Sequence, residues 1–259
     1  MESSDRYLRQ TSLTEIGAVG QERLRDSTVL VAGCGALGSN SAEIIARAGV
    51  GRIILVDSDT VEMGNLQRQG LLIEEDVGER KAAAVGRALR RINSEIEIDF
   101  KVERITAGNI DRLLTVVDLV LDGFDNMPSR YLLNDACVKH GVPWIFAAVA
   151  GTFGMTMPII PHRTACLRCL SPDPVPDEFV LTAGNAGLIN TIPRAIVSLQ
   201  ATLALKILLG ASDVPASLTT YDIWTNQFAS LEIERGDDCP CCVRSEYEFL
   251  QAGDDLERS

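Results

Sequence analysis

The sequence predicts an α/β protein built on a doubly wound, mostly parallel sheet extended by antiparallel strands. Three observations predict it. Short apolar runs alternate with helical segments as far as Ala150. A glycine-rich turn, Gly33-Cys-Gly-Ala-Leu-Gly38, joins the first such run to a helix. Beyond Ala150 the pattern loosens into alternation of the kind that antiparallel pairing produces.

The elements follow in order. Residues 13–25 read as a helix. Residues 28–33, Thr-Val-Leu-Val-Ala-Gly, are a nearly all-apolar run, as expected of a strand buried on both faces. A helix over 39–49 ends in glycine. The second strand is 52–57, and a helix over about 79–92 carries Lys81 near its start. Residues 95–102 and 118–122 read as the third and fourth strands. A helix near 129–140 leads to a fifth strand over 143–149. Residues 151–161 alternate loosely. Residues 171–178 contain Pro172, Pro174 and Pro176 and read as an irregular loop. Residues 186–209 form a long, mostly apolar helical stretch. Residues 217–224 and 227–233 read as a terminal hairpin with a two-residue turn at Thr225-Asn226. There is no internal repeat, and the second half extends the same sheet. One domain over residues 1–242 is expected, followed by an acidic, solvated tail over 243–259.

Composition narrows the function. The 259 residues are 46% apolar, enough for one large core. Asp118 and Asp122 interrupt the longest apolar runs, and no unbroken apolar stretch of ~18 residues exists, so no membrane span is expected. The first ten residues are polar and lack the order of a signal peptide, which suggests a cytoplasmic location. A net charge of −12 argues against a nucleic-acid partner, while leaving room for a local basic pocket.

The glycine turn is Gly33-x-Gly35-x-x-Gly38 between a strand and a helix, the Rossmann-like arrangement. Glycines let backbone N–H groups approach phosphate, and the helix N-terminus adds a positive dipole end. Asp57 closes the second strand, where an acid accepts from ribose hydroxyls. Alone, such a turn serves NAD, FAD or ATP, or only packs. The next residues discriminate: Asp57-x-Asp59, then Asn65-Leu-Gln-Arg-Gln69, then Lys81, then Asp125-Asn126 after the fourth strand. The predicted fold brings the glycine turn, Asp57, Arg68, Lys81 and Asp125 to the carboxyl rim of the sheet, where open parallel sheets bind ligands. Nucleotidyl transfer needs cations for a charged transition state and an acid to hold Mg²⁺. Taken singly, Arg68 and Lys81 also read as surface charges, Asp125 as a helix cap and Asn65 as a turn residue. The ordered set is what favours nucleotidyl transfer.

These segments, together with Arg6-Tyr-Leu-Arg-Gln10, resemble the MoeB/ThiF/HesA adenylyltransferases, bacterial relatives of ubiquitin-activating enzymes. The resemblance runs from about Arg6 to Cys242. It implies about eight strands in all and an ATP- and Mg²⁺-dependent homodimer. The partner it implies is a ubiquitin-like sulfur-carrier protein ending in Gly-Gly. Its terminal carboxylate would attack the α-phosphate of ATP, and a separate sulfur donor would act on the acyl-adenylate. By the family pattern Gly33, Gly35, Ala36, Gly38, Asp57 and Asp59 hold ATP. Asn65, Arg68, Gln69 and Lys81 serve the phosphates. Asp125, with Asn126 beside it, takes Mg²⁺. Arg9 matches an arginine that similar enzymes offer to the other subunit's site; its alternative is a plain surface charge.

Seven cysteines are present. Cys166-Leu-Arg-Cys169 and Cys239-Pro-Cys-Cys242 form two x₂-spaced pairs suited to tetrahedral Zn²⁺, and the resemblance points to a structural zinc site there. Redox-active pairs are the alternative. Cys241 lies between two ligands with no assigned role, and Cys34 and Cys137 read as packed small residues.

The chain departs from the family in two places. Where many members carry a loop cysteine, it has Val180, so no covalent intermediate is expected there. Phe124 stands where relatives often have a small hydroxyl residue. No C-terminal rhodanese-like domain is expected beyond Cys242. Molybdopterin, thiazole and related sulfur pathways share this activation step. The competing functions are adenylation of a peptide or modified-RNA carboxylate, an NAD-dependent oxidoreductase, and an inactive binding module. His140 and His162 are the only histidines, and neither sits in a recognisable hydride-transfer context.

Overall fold

The computed structural model describes residues 5–175, 181 and 183–251. Val180, which stands near the position of the loop cysteine of many family members, lies outside them, as do residues 252–259. Eight strands form one sheet in the order β3-β2-β1-β4-β5-β6-β7-β8. They are β1 (Thr28–Ala32), β2 (Arg52–Val56), β3 (Glu97–Lys101), β4 (Leu119–Asp122), β5 (Trp144–Ala150), β6 (Phe153–Ile159), β7 (Ser217–Asp222) and β8 (Gln227–Glu232). The first five pair in parallel and the last three antiparallel. The expected fold class is the one observed.

The principal helices are α1 (Gly17–Asp26), α2 (Gly38–Ala48), α3 (Lys81–Ile92), α4 (Ile110–Leu114), α5 (Met127–His140) and α6 (Thr191–Leu208). α1 begins later than the sequence suggests, because residues 13–16 form a turn closed by the Ile16 and Gly17 N–H groups on the Leu13 carbonyl. α4, with only five residues, is too short to show a helical period. The hairpin between β7 and β8 also differs from expectation, since its connection spans four residues, 223–226. The Asp222 carboxylate accepts from the N–H groups of Trp224 and Thr225, which stabilises the longer turn, and Asn226 adopts φ 55°.

The central strands are buried on both faces, which is why they read as unbroken apolar runs. Along β1, Leu30 and Ala32 join a core with Tyr131 of α5 and Trp144 of β5. Val29 and Val31 join the opposite core with Ile45 of α2 and Val85 of α3. α6 has the length and composition of a membrane-crossing helix. Here it lies against the sheet, and buried Gln200 donates through Nε2 to the carbonyls of Asp122 and Ile145. The Gln200 Oε1 accepts from Ser41 of α2. A polar side chain at this depth is tolerable because its groups are paired.

The expected solvated tail starts within packed structure. After Cys242 the chain returns to α5, where Phe249 is buried and stacks on Tyr131 with ring centroids 4.9 Å apart. The Phe249 N–H donates to Asp135 at 3.0 Å. Arg168 lies over both rings and pairs with Glu248. An acidic composition concealed this docking, which rests on buried Phe249 with Tyr247 and Leu250 packed partly beside it. Phe249→Ala should therefore lower unfolding free energy by about 3 kcal/mol in urea titration, the usual cost of emptying a buried aromatic site.

Candidate nucleotide site and four-cysteine cluster

The sheet reverses its strand order between β1 and β4, and a cavity of about 460 Å³ opens there at the carboxyl ends of the strands. The turns leaving β1 and β4 touch backbone to backbone. A Cβ on Gly33 would lie 2.8 Å from the Gly123 oxygen, and one on Gly38 would lie 1.8 Å from the Gly33 oxygen. Gly33 also has φ +92°, which a side chain would strain. Glycine here is a steric requirement, and it leaves a backbone-walled cradle in front of α2.

Gly33, Gly35 and Ala36 line the cavity, whereas Gly38 sits behind it at the first residue of α2. Asp57 fixes the cradle to β2. Its Oδ2 accepts from the Cys34 N–H at 2.6 Å and its Oδ1 from the Asp59 N–H at 2.7 Å. Burial raises the Asp57 carboxyl above its ordinary range, while those two N–H groups and Lys81 pull it back. Cys34 is fully buried, with its thiol pushed up by burial, and it serves as packing.

Asp59, Asn65, Arg68, Gln69, Lys81, Asp125 and Asn126 all border the same cavity. Lys81 is the first residue of α3; its Nζ meets Asp59 Oδ2 at 2.8 Å, so the cation is held at the rim. Asn65 Oδ1 accepts from the Glu62 N–H and shapes the turn that carries Arg68, whose Nη1 reaches the Gly64 carbonyl. The turn reading of Asn65 and its place at the cavity hold together. Gln69 is buried, and its Oε1 has no hydrogen-bond partner among the described residues; Asn40 Oδ1, next to Arg68, is likewise unpartnered among them. A glycine cradle with two cations at its rim fits an anionic ligand such as ATP.

Asn126, and not Asp125, caps α5: its Oδ1 accepts from the Ser129 N–H at 3.0 Å. Asp125 is exposed, and among the described residues its Oδ1 accepts from the Asn126 amide alone. A carboxylate so placed suits Mg²⁺, which prefers one or two carboxylates alongside substrate phosphates. Arg9 is exposed in the turn Leu8–Thr11 and does not border the cavity of its own chain.

Several cavity residues escaped the sequence reading. Glu103, Arg104 and Ile105 follow β3, and Ala148 and Val149 close β5. The carboxyl-edge rule reaches all of these once the strand ends are known. Arg130, one turn into α5, also borders the cavity. It forms a buried pair with Asp122 at 2.9 Å.

The four cysteines singled out by spacing converge. The Sγ atoms of Cys166, Cys169, Cys239 and Cys242 all lie within 4.8 Å of one another. Individual separations are 3.9 Å for Cys166–Cys169, 3.6 Å for Cys166–Cys239 and 3.5 Å for Cys169–Cys242. A tetrahedron of Zn–S bonds implies sulfur separations of roughly 3.8 Å. Hydrogen bonds from Cys166 and Cys242 hold the Cys169 thiol far below its usual range and push those two partners up. Four sulfurs from two x₂-spaced pairs at these separations fit Zn²⁺. The Gly236 N–H also donates to Cys169 Sγ at 3.4 Å. Cys241 is outside this set of four but beside it: it is fully buried, its thiol interacts with Cys166, and it accepts from the Asn134 amide of α5 at 3.2 Å.

A strand-order reversal with a glycine cradle, two rim cations and an exposed carboxylate is an arrangement that suits nucleotidyl transfer. The profile of the ThiF family matches residues 7–241, and the chain belongs to that family. It is 39% identical to the sulfur carrier protein adenylyltransferase of Thermus thermophilus over 248 residues, covering 93% of this chain and 91% of the relative. It is 39% identical to the sulfur carrier protein ThiS adenylyltransferase of Bacillus subtilis, covering 95% and 73%. The SAMP-activating enzyme E1 of Haloferax volcanii is 33% identical, covering 98% and 94%. Among solved structures, E. coli MccB with ATP superposes with a TM-score of 0.79 at 23% identity, over 93% of this chain and 75% of MccB, a likeness of fold.

Substituting one cluster cysteine should separate zinc binding from nucleotide binding. Cys166→Ser is expected to reduce bound zinc from about one per chain to well below half, by elemental analysis, and to lower the thermal midpoint. Zinc content equal to wild type would exclude Cys166 as a ligand.

Proposed function

We propose that this protein adenylates the C-terminal carboxylate of a ubiquitin-like sulfur-carrier protein ending in Gly-Gly, with ATP as the nucleotide donor. The observation that carries the reading is the gathering of Arg68, Lys81 and Asp125 around one glycine cradle at the reversal of strand order. Relatives named as sulfur-carrier adenylyltransferases, alike over nearly the whole chain, support the substrate class.

The reaction asks little covalent chemistry of the protein. The cradle N–H groups and the N-terminus of α2 face the phosphates, and Arg68 and Lys81 balance the charge of the departing pyrophosphate. Asp57 takes the ribose side. Asp125 would hold Mg²⁺, which supplies charge neutralisation across the phosphates. Positioning and fixed charge then account for catalysis, with no protein nucleophile. The product is an acyl-adenylate that a separate sulfur donor consumes.

The reading includes a homodimer in which Arg9 serves the neighbouring subunit's cavity, in keeping with its exposure away from its own. It also includes Zn²⁺ on Cys166, Cys169, Cys239 and Cys242, and a cytoplasmic setting in which those thiols stay reduced.

Carrier-dependent ATP–pyrophosphate exchange tests this directly. Purified protein should exchange label with one Gly-Gly carrier from its own organism and not with the same carrier lacking its last two residues. No exchange with any such carrier would reject the reading. Asp125→Ala should cut exchange at least ~100-fold while leaving the thermal midpoint unchanged.

A further inference from the structure

The nucleotide side of the cavity is served by β1, β2 and the turn that carries Arg68. The other wall is formed by the tips of β4 and β5, with Ala148, Val149 and Leu188. With the phosphates on the glycine cradle, this is the wall left for a second substrate. The cation there is Arg130.

Arg130 is only 4% exposed, and its guanidinium is fixed on three sides. Nε donates to Asp122 Oδ2 at 2.9 Å. Nη2 donates to the Phe124 carbonyl at 2.6 Å and to the Ala147 carbonyl at 2.8 Å. Its face lies over the Phe146 ring, 5.4 Å from the centroid. A guanidinium carries five N–H groups, and these bonds use three. The two on Nη1 have no protein partner among the described residues, and Nη1 is not one of the sealed, unpaired atoms. A buried arginine locked by four neighbours, bordering the cavity and with one nitrogen unpaired among the described residues, is a preorganised anion donor.

We propose that Arg130 is a catalytic residue that binds the terminal carboxylate of the carrier through Nη1 and aligns it with the α-phosphorus. The inference rests on the adenylation reading. A carboxylate and a triphosphate repel each other, and a guanidinium already fixed by Asp122 relieves that repulsion without reorganising. One carboxylate oxygen forms the new bond to phosphorus. The bond from phosphorus to the bridging oxygen breaks, and pyrophosphate leaves with the electron pair. No proton moves. The other carboxylate oxygen becomes the acyl carbonyl and keeps its hydrogen bond to Nη1. Asp122 is then a positioning residue, which orients Arg130 and balances its charge.

Two variants test this. Arg130→Lys keeps the charge and loses Nη1. Arg130→Gln combined with Asp122→Asn removes both charges together, so no unpaired ion stays buried. Thermal melts identify folded protein, and calorimetry measures ATP affinity. The readout specific to the proposal is binding of the carrier against its C-terminal amide, with a non-hydrolysable ATP analogue present. Wild type should bind the carboxylate form at least ~10-fold more tightly. The variants should bind both forms alike, hold ATP within about threefold of wild type and lose at least ~100-fold in exchange. A folded variant with wild-type exchange, or with undiminished preference for the carboxylate, would overturn the assignment. If neither variant folds, wild type decides, since equal binding of its two carrier forms would equally overturn it. Absence of exchange by wild type with every Gly-Gly carrier would overturn the adenylation reading itself, and this assignment with it.

Discussion

The backbone contact between the turns after β1 and β4 sets the geometry of everything around it. Gly33 and Gly123 approach so closely that neither has room for a methyl group, and Gly38 meets the Gly33 carbonyl from the other side. Because those turns touch, α2 and α5 start from adjacent points and diverge over opposite faces of the sheet. The space left between their starts is the cavity. Any side chain at the contact would push the strand ends apart, and the cradle and the segment carrying Asp125 would move with them.

Polar groups buried below this contact hold it in register. Asp122 accepts from the Phe124 and Ala147 N–H groups and pairs with Arg130, while Gln200 of α6 ties the Asp122 carbonyl to β5. Burial raises the Asp122 carboxyl, and the Arg130 charge with the two N–H donors works against that. A buried ion pair contributes little net stability relative to an apolar replacement, but it penalises every arrangement that leaves one partner alone. Here that penalty falls on shifts of β4 against β5.

A second anchor lies away from the cavity. The cysteine cluster joins the turn at Cys166 to the C-terminal segment, and the Tyr131–Phe249 stack with Arg168 fastens that segment to α5. α5 therefore has its N-terminus at the cavity and its middle against the segment that carries the C-terminal cysteines. The helix is held at both places by side-chain contacts that lie far apart in the sequence.

The sequence determined the strand and helix order, the sheet class, the glycine cradle, and the residues from Asp57 to Asp125 that border one cavity. Those features are local: apolar period, glycine spacing and the carboxyl-edge rule operate within a few residues of each position. The cysteine spacing likewise announced two pairs. Tertiary structure alone decided that Asn126 rather than Asp125 caps α5, that Cys241 faces Asn134, and that Phe249 is buried within an acidic stretch. It alone revealed Arg130, whose neighbours come from β4, β5 and the loop between β4 and α5. The physical reason is the same in each case. Which hydrogen bond or contact a side chain makes depends on groups brought near by folding, and no local pattern records them.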